Sequence, residues 1–192
     1  MTGGVATQGV ERLEAITDDD LAALCEAADA AILDGGGFGW INSPGRTGMQ
    51  RYYRGVLLVP ERELFVARKD GALVGSVQLV RPSRNNEAQA FACNLMHCFI
   101  APYARSIGLG RLLVRALEDH AKSQGYHVLN LDVRETQIAA IALFEKLGFT
   151  RWGTHPSYAR VAGRTIGGHY YCKALKGPRP EKINGKTGSG PR

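Results

Sequence analysis

Phe99-Ile100-Ala101-Pro102-Tyr103-Ala104-Arg105-Ser106-Ile107-Gly108-Leu109-Gly110-Arg111-Leu112-Leu113 is the stretch whose reading decides the fold. An apolar run ends at a proline, an arginine follows, and two glycines open an amphipathic helix. That order predicts a strand, a tight turn and a helix N-terminus. The first N–H groups of a helix have no internal partner, and the helix dipole makes that end attractive to anions. Glycine lets the main chain approach a bound group without a Cβ in the way. The turn therefore reads as a phosphate cradle, best suited to a pyrophosphate. It is neither a P-loop, since no Gly-Lys-Ser/Thr follows, nor the dinucleotide pattern Gly-x-Gly-x-x-Gly. Taken alone, its glycines could equally serve packing.

The 192 residues suit one domain with a full core, and 44% hydrophobic with 22% charged residues is ordinary for a globular protein. No apolar run is long enough for a membrane span, and Met1–Val10 lacks the features of a leader, so a cytoplasmic location and no membrane partner are expected. The net charge of +6 is concentrated at the end. Lys176, Arg179, Lys182, Lys186 and Arg192 oppose only Glu181 in the Gly/Pro-rich segment 176–192. That segment reads as a basic tail, with no nucleic-acid partner expected. Cys25, Cys93, Cys98 and Cys172 show no Cys-x-x-Cys spacing, so buried free thiols and no metal site are expected. His97 and Cys98 are neighbours on a strand and point to opposite faces in regular geometry, which excludes a dyad.

Working outward, residues 1–10 read as a flexible N-terminus and 11–175 as the folded domain. Glu11–Ile16 reads as a strand. Thr17 with Asp20 resembles a capping box before a helix that runs to about Leu33. Gly35–Gly39 starts a loop, and a second helix is expected over Met49–Leu58. Glu63–Lys69 and Ala72–Val80 flank Asp70-Gly71 as a hairpin. Gln89–Ala101 reads as a long strand interrupted near its middle. Helix Leu109–Gln124, strand Tyr126–Val133 and helix Gln137–Leu147 follow. Strands over Thr150–His155 and His169–Leu175 flank a Gly-rich connection. The order β-α-α-β-β-β-α-β-α-β-β is an antiparallel meander leading into a βαβ crossover.

The cradle resembles motif A of the GNAT superfamily of N-acetyltransferases, in which Arg/Gln-x-x-Gly-x-Gly/Ala follows a strand ending in proline. Leu131-Asp132-Val133-Arg134-Glu135-Thr136-Gln137, continuing to Leu147-Gly148-Phe149, is similar to that superfamily's next strand and its Asn-x-x-Ala-x-x-Leu-Tyr-x-x-x-Gly-Phe. The last segments, Trp152–Tyr158 and His169–Leu175, resemble a bacterial subset near the tabtoxin-resistance acetyltransferase. The resemblance implies an α/β fold of α+β type. Its sheet is mixed, mostly antiparallel, of about seven strands with a central splayed parallel pair, and helices cover both faces.

It also implies transfer of an acetyl group from acetyl-CoA to a primary amine, and commonly a homodimer. Carried over residue by residue, the cofactor would be held by Arg105, Ser106, Ile107, Gly108, Leu109, Gly110 and Arg111, with pantetheine contacts at Phe99 and Ile100. Gln137 and Phe144 complete that set. Gln137 replaces the family's Asn. Phe144 replaces a Tyr that in many members returns a proton to the thiolate, and a phenyl ring has none to give. Asn94 stands where many members carry a catalytic Glu.

His97 is then the nearest titratable group for the amine's proton, with His169 second and Asp132 third. A sheet-surface His that packs or orders a water fits the same position. Tyr158, Tyr170 and Tyr171 are the hydroxyls available as acid, with Tyr158 preferred. The segments expected around the acceptor carry Arg46, Arg51, Arg54, Arg160 and Arg164 and no carboxylate. This points to a small amine bearing a carboxylate, such as an amino-acid-like metabolite or toxin. The alternative is a non-catalytic acyl-CoA-binding module, favoured by Asn94 and Phe144.

Overall fold

The computed structural model describes residues 8–36 and 38–175. Seven strands form one sheet in the order β1-β2-β3-β4-β5-β7-β6. They are β1 (Gln8–Leu13), β2 (Arg62–Lys69), β3 (Ala72–Val80), β4 (Ala92–Ile100), β5 (Val128–Arg134), β6 (Thr150–Val161) and β7 (Arg164–Ala174). Every neighbouring pair is antiparallel except β4–β5. The seven-stranded mixed sheet with one parallel pair is the one the resemblance implies.

Helices α1 (Asp18–Ala31) and α2 (Gly45–Leu58) cover one face, burying Leu24, Tyr53 and Val56 against Leu64 and Val66. Helices α3 (Leu109–Ser123) and α4 (Ile138–Lys146) cover the other, where Leu113, Leu117 and Phe144 meet Val77, Leu95 and Leu129. Such residues exclude both faces of the central strands from water, which is the main force holding the layers together. Thr17 caps α1 as expected, its Oγ1 accepting from Asp20 N at 3.2 Å. The Asp70-Gly71 turn has both φ values positive, the geometry that matches strand twist in a tight hairpin.

Some boundaries move. The first strand starts at Gln8 and ends at Leu13, because its register with β2 runs from Gln8↔Lys69 to Leu13↔Leu64. Residues 8–10 thus belong to the sheet rather than to a flexible N-terminus, and residues 1–7 and the tail 176–192 lie outside the described residues. Helix α2 begins four residues early, at Gly45. The Gly-rich connection near the end is a continuation of the hairpin, closed by Ala162-Gly163 with both φ values positive. Pro156 interrupts the alternation in the sequence, and the strand accommodates it by a register shift between His155 and Ala159.

Candidate active site

Two local irregularities open the middle of the sheet. Parallel pairing of β4 with β5 stops after Asn94↔Asn130, so the strands diverge toward their C-terminal ends. On its other edge β4 carries a bulge. Register passes from Gln78↔Met96 to Ser76↔Phe99, so His97 and Cys98 together oppose Val77. His97 takes the extra position, with φ 53. The interruption expected within this strand is this bulge. The His97 ring lies over Phe38 on the α1–α2 face, whereas Cys98 packs with the α3–α4 core.

Two cavities flank the divergence. The first, about 570 Å³, runs from the α3 N-terminus to β4. Every residue assigned to coenzyme A lines it except Ile107: Phe99, Ile100, Arg105, Ser106, Gly108, Leu109, Gly110, Arg111, Gln137 and Phe144. Asp34, Gly36, Cys98 and Leu143 also line it and were not anticipated. Gly108, at φ 89, is the N-cap of α3 and offers no capping side chain to the first-turn amides. Open space surrounds it, whereas a Cβ at Gly110 would approach Leu143. The turn has the open, uncapped backbone expected of an anion cradle, and a diphosphate would fit its chemistry.

Arg105 braces the turn before α3. Its Nε donates to the Ile100 carbonyl at 3.0 Å, and Nη1 pairs with Asp34 at 2.5 Å. Gln137 donates from Nε2 to the Gly35 carbonyl at 2.7 Å, and Arg134 approaches the same oxygen. These contacts fasten the widened turn Ile32–Gly36 across the divergence between β4 and β5.

The second cavity, about 520 Å³, lies beyond that strap. It shares Gly36, Cys98, Gln137, Ala140 and Phe144 with the first, so the two meet at one junction. Phe38, His97, Asp132, Arg134, Tyr158 and Arg160 give it its character. Tyr158 donates to Asp132, and burial followed by that carboxylate pushes its phenol well above the ordinary range. Burial and Arg62 bring His97 down to about 4, against a smaller opposing pull from Asp132, so the ring is neutral at physiological pH. Desolvation pushes Cys98 up to about 12.

Other candidates lie elsewhere. His169 lines neither cavity and contacts Thr154 Oγ1 at 3.2 Å. Asn94 is exposed at the paired end of β4. Of the five arginines expected around the acceptor, only Arg160 reaches the second cavity, and Arg54 pairs with Asp18 at 2.8 Å. The reason is topological: α2 turns Arg54 outward, and the long hairpin carries Arg164 to its tip. Asp132 gives this cavity the carboxylate that the segment count lacked. Phe38, Trp40 and Tyr52, not among the residues singled out from the sequence, have rings that cluster with His97 and Phe99. Their scatter through a loop and a helix leaves no spacing to recognise.

A cradle for a diphosphate that leads between splayed strands to a second cavity suits transfer from a long-armed acyl carrier. The class so defined is a coenzyme A-dependent acyltransferase. The chain belongs to the GNAT acetyltransferases: the Acetyltransferase (GNAT) family model matches residues 35–149. It is 51% identical over 162 residues to an uncharacterised N-acetyltransferase of the hisH-hisA intergenic region of Azospirillum brasilense, covering 80% of this chain and 96% of that one. It is 34% identical over 107 residues to the N-alpha-acetyltransferase RimI of Mycobacterium tuberculosis, covering 56% of this chain and 64% of the relative. Among solved structures, yncA of Salmonella typhimurium with its cofactor acetyl-CoA has a TM-score of 0.71 at 20% identity, over 92% of this chain and 98% of that one. At that identity the likeness is one of fold. The protein is thus an N-acetyltransferase that uses acetyl-CoA.

Proposed function

We propose that the acceptor is a small amine that also carries a carboxylate, bound in the second cavity. The observation that supports this most is the shared junction at Cys98, Gln137 and Phe144, which gives the amine a route to the cofactor cavity from a chamber holding both charge signs. Asp132 offers an oxygen to an N–H of the neutral, attacking amine, and Arg160 offers a guanidinium to a carboxylate. A polycation would meet Arg134 and Arg160 at close range, which disfavours polyamines and aminoglycosides.

The backbone amides at Leu109, Gly110 and Arg111 would hold the diphosphate, and acetyl-CoA supplies a thioester whose carbonyl carbon an amine can attack. Two proton tasks remain for this chain. Asp132 receives the proton of the amine as the new C–N bond raises that nitrogen's acidity. Tyr158, protonated throughout the physiological range, gives its phenolic proton to the departing sulfur and recovers one from Asp132 along their hydrogen bond. Proton count is conserved and both groups return to their starting states. The desolvated Cys98 thiol is a poor nucleophile, which favours direct transfer over an acylated cysteine. His169 has no part in this scheme.

Thiol release from acetyl-CoA across an amine panel tests the acceptor class. Amino acids and their analogues should turn over well above spermine and kanamycin, and the reverse order would overturn the proposal.

A further inference from the structure

Arg62, Gln78 and Tyr52 take no part in those proton transfers, yet they form a chain that ends on His97. Arg62 Nη1 donates to Gln78 Oε1 at 2.7 Å, and Gln78 Nε2 donates to the Tyr52 hydroxyl at 2.8 Å. That hydroxyl lies 2.5 Å from His97 Nδ1. The polarity of the chain is set at its far end. A guanidinium has donors only, so Gln78 turns its carbonyl to Arg62 and its NH2 to Tyr52. Gln78 is 0% exposed, which removes bulk water as a substitute partner. With its oxygen accepting from Gln78, Tyr52 directs its own hydrogen at His97 Nδ1. A neutral imidazole that accepts at Nδ1 carries its proton on Nε2.

We infer that Arg62, Gln78 and Tyr52 are positioning residues that lock His97 as a neutral Nε2–H tautomer, so that it meets the acceptor as a hydrogen-bond donor and not as the base. The bulge puts His97 in reach of Tyr52, and Phe38 covers the ring face at a centroid distance of 5.3 Å. The charged groups that act on the ring are Arg62 from β2 and Asp132 from β5, while Gln78 and Tyr52 hold it from β3 and α2. A lone pair at Nε2 would require Nδ1–H to face a hydroxyl whose hydrogen then has only the Gln78 NH2 to point at. An Nε2–H in this cavity suits a carboxylate or carbonyl oxygen of the acceptor. This deepens the acceptor assignment above and rests on it.

Long-range 1H–15N correlation spectra of histidine-labelled protein, with the His97 signals assigned through His97→Gln, test the lock. Expected at pH 7 are a protonated Nε2, an unprotonated Nδ1, and no titration of His97 between pH 5 and 8. Gln78→Glu keeps the acceptor for Arg62 but removes the donor to Tyr52, so the hydroxyl turns toward the new carboxylate. The His97 tautomer should then invert to Nδ1–H and its pKa should rise. Tyr52→Phe, a milder change, should replace the single tautomer by a mixture. Wild-type His97 found as Nδ1–H or as the cation at pH 7 would overturn the inference. So would two variants that both keep the wild-type pattern. These spectra need no acceptor, so their failure is separate from failure of the amine panel.

Discussion

The guanidinium of Arg105 reaches across the mouth of the first cavity to the carboxylate of Asp34, 2.5 Å away, and so joins the turn before α3 to the strap after α1. Both partners are substantially exposed, so the pair contributes only about 0–1 kcal/mol to folding. Its effect should fall on binding. Arg105→Ala should leave the melting temperature almost unchanged while weakening acetyl-CoA binding by about tenfold. Calorimetric titration beside thermal melts separates the two.

Gly108→Glu should abolish most cofactor affinity without unfolding the protein. Space around Gly108 is open, so the cost to folding is the left-handed φ of 89, about 1 kcal/mol. The new carboxylate would compete for the first-turn amides of α3 and repel the diphosphate. Unchanged binding in a folded variant would reject the placement of the cradle.

Gly168 lies beneath the Tyr158 ring, and an added Cβ would fall on the ring atoms. Gly168→Ala should therefore expel Tyr158 from Asp132. Turnover should fall by at least tenfold with acetyl-CoA binding preserved, at a stability cost of about 1–3 kcal/mol. Steady-state kinetics with a titration of acetyl-CoA is the check.

Cys98 borders both cavities with its thiol pushed up to about 12. If transfer is direct, Cys98→Ala should keep kcat within a few-fold of wild type. Rapid-quench experiments should show no burst of coenzyme A release before acceptor is added. An acetylated cysteine found by mass spectrometry would contradict direct transfer.

Stability should depend on pH through His97. Its folded value of about 4 lies below the ordinary 6.5, so between these values the unfolded chain binds more protons. Stability is therefore full above pH 6.5 and declines as pH falls toward 4, by up to about 3 kcal/mol. Denaturant titrations across that window should show the slope in wild type and a flatter one in His97→Gln.

The cradle and the order of elements were legible in the sequence because each rests on local rules. A proline, a glycine at the helix N-cap and an amphipathic run announce a strand–turn–helix wherever they stand, and ten of the eleven residues assigned to coenzyme A line one cavity. The chemistry of the second cavity was not legible. Asp132 and Tyr158 are 26 positions apart, and their bond depends on how β5, β6 and β7 align. Tyr52 and His97 are 45 apart and meet because a single extra residue in β4 turns the ring toward α2.

By itself, then, the sequence determined the strand, turn and helix N-terminus and the family they resemble, since these are made from neighbours in the chain. Only the tertiary structure decided which side chains line the second cavity and how they are paired. His97 has an ordinary side chain for a base. Its neutrality and the direction of its hydrogen bond are imposed by burial and by Arg62, three links away through groups that no local pattern connects.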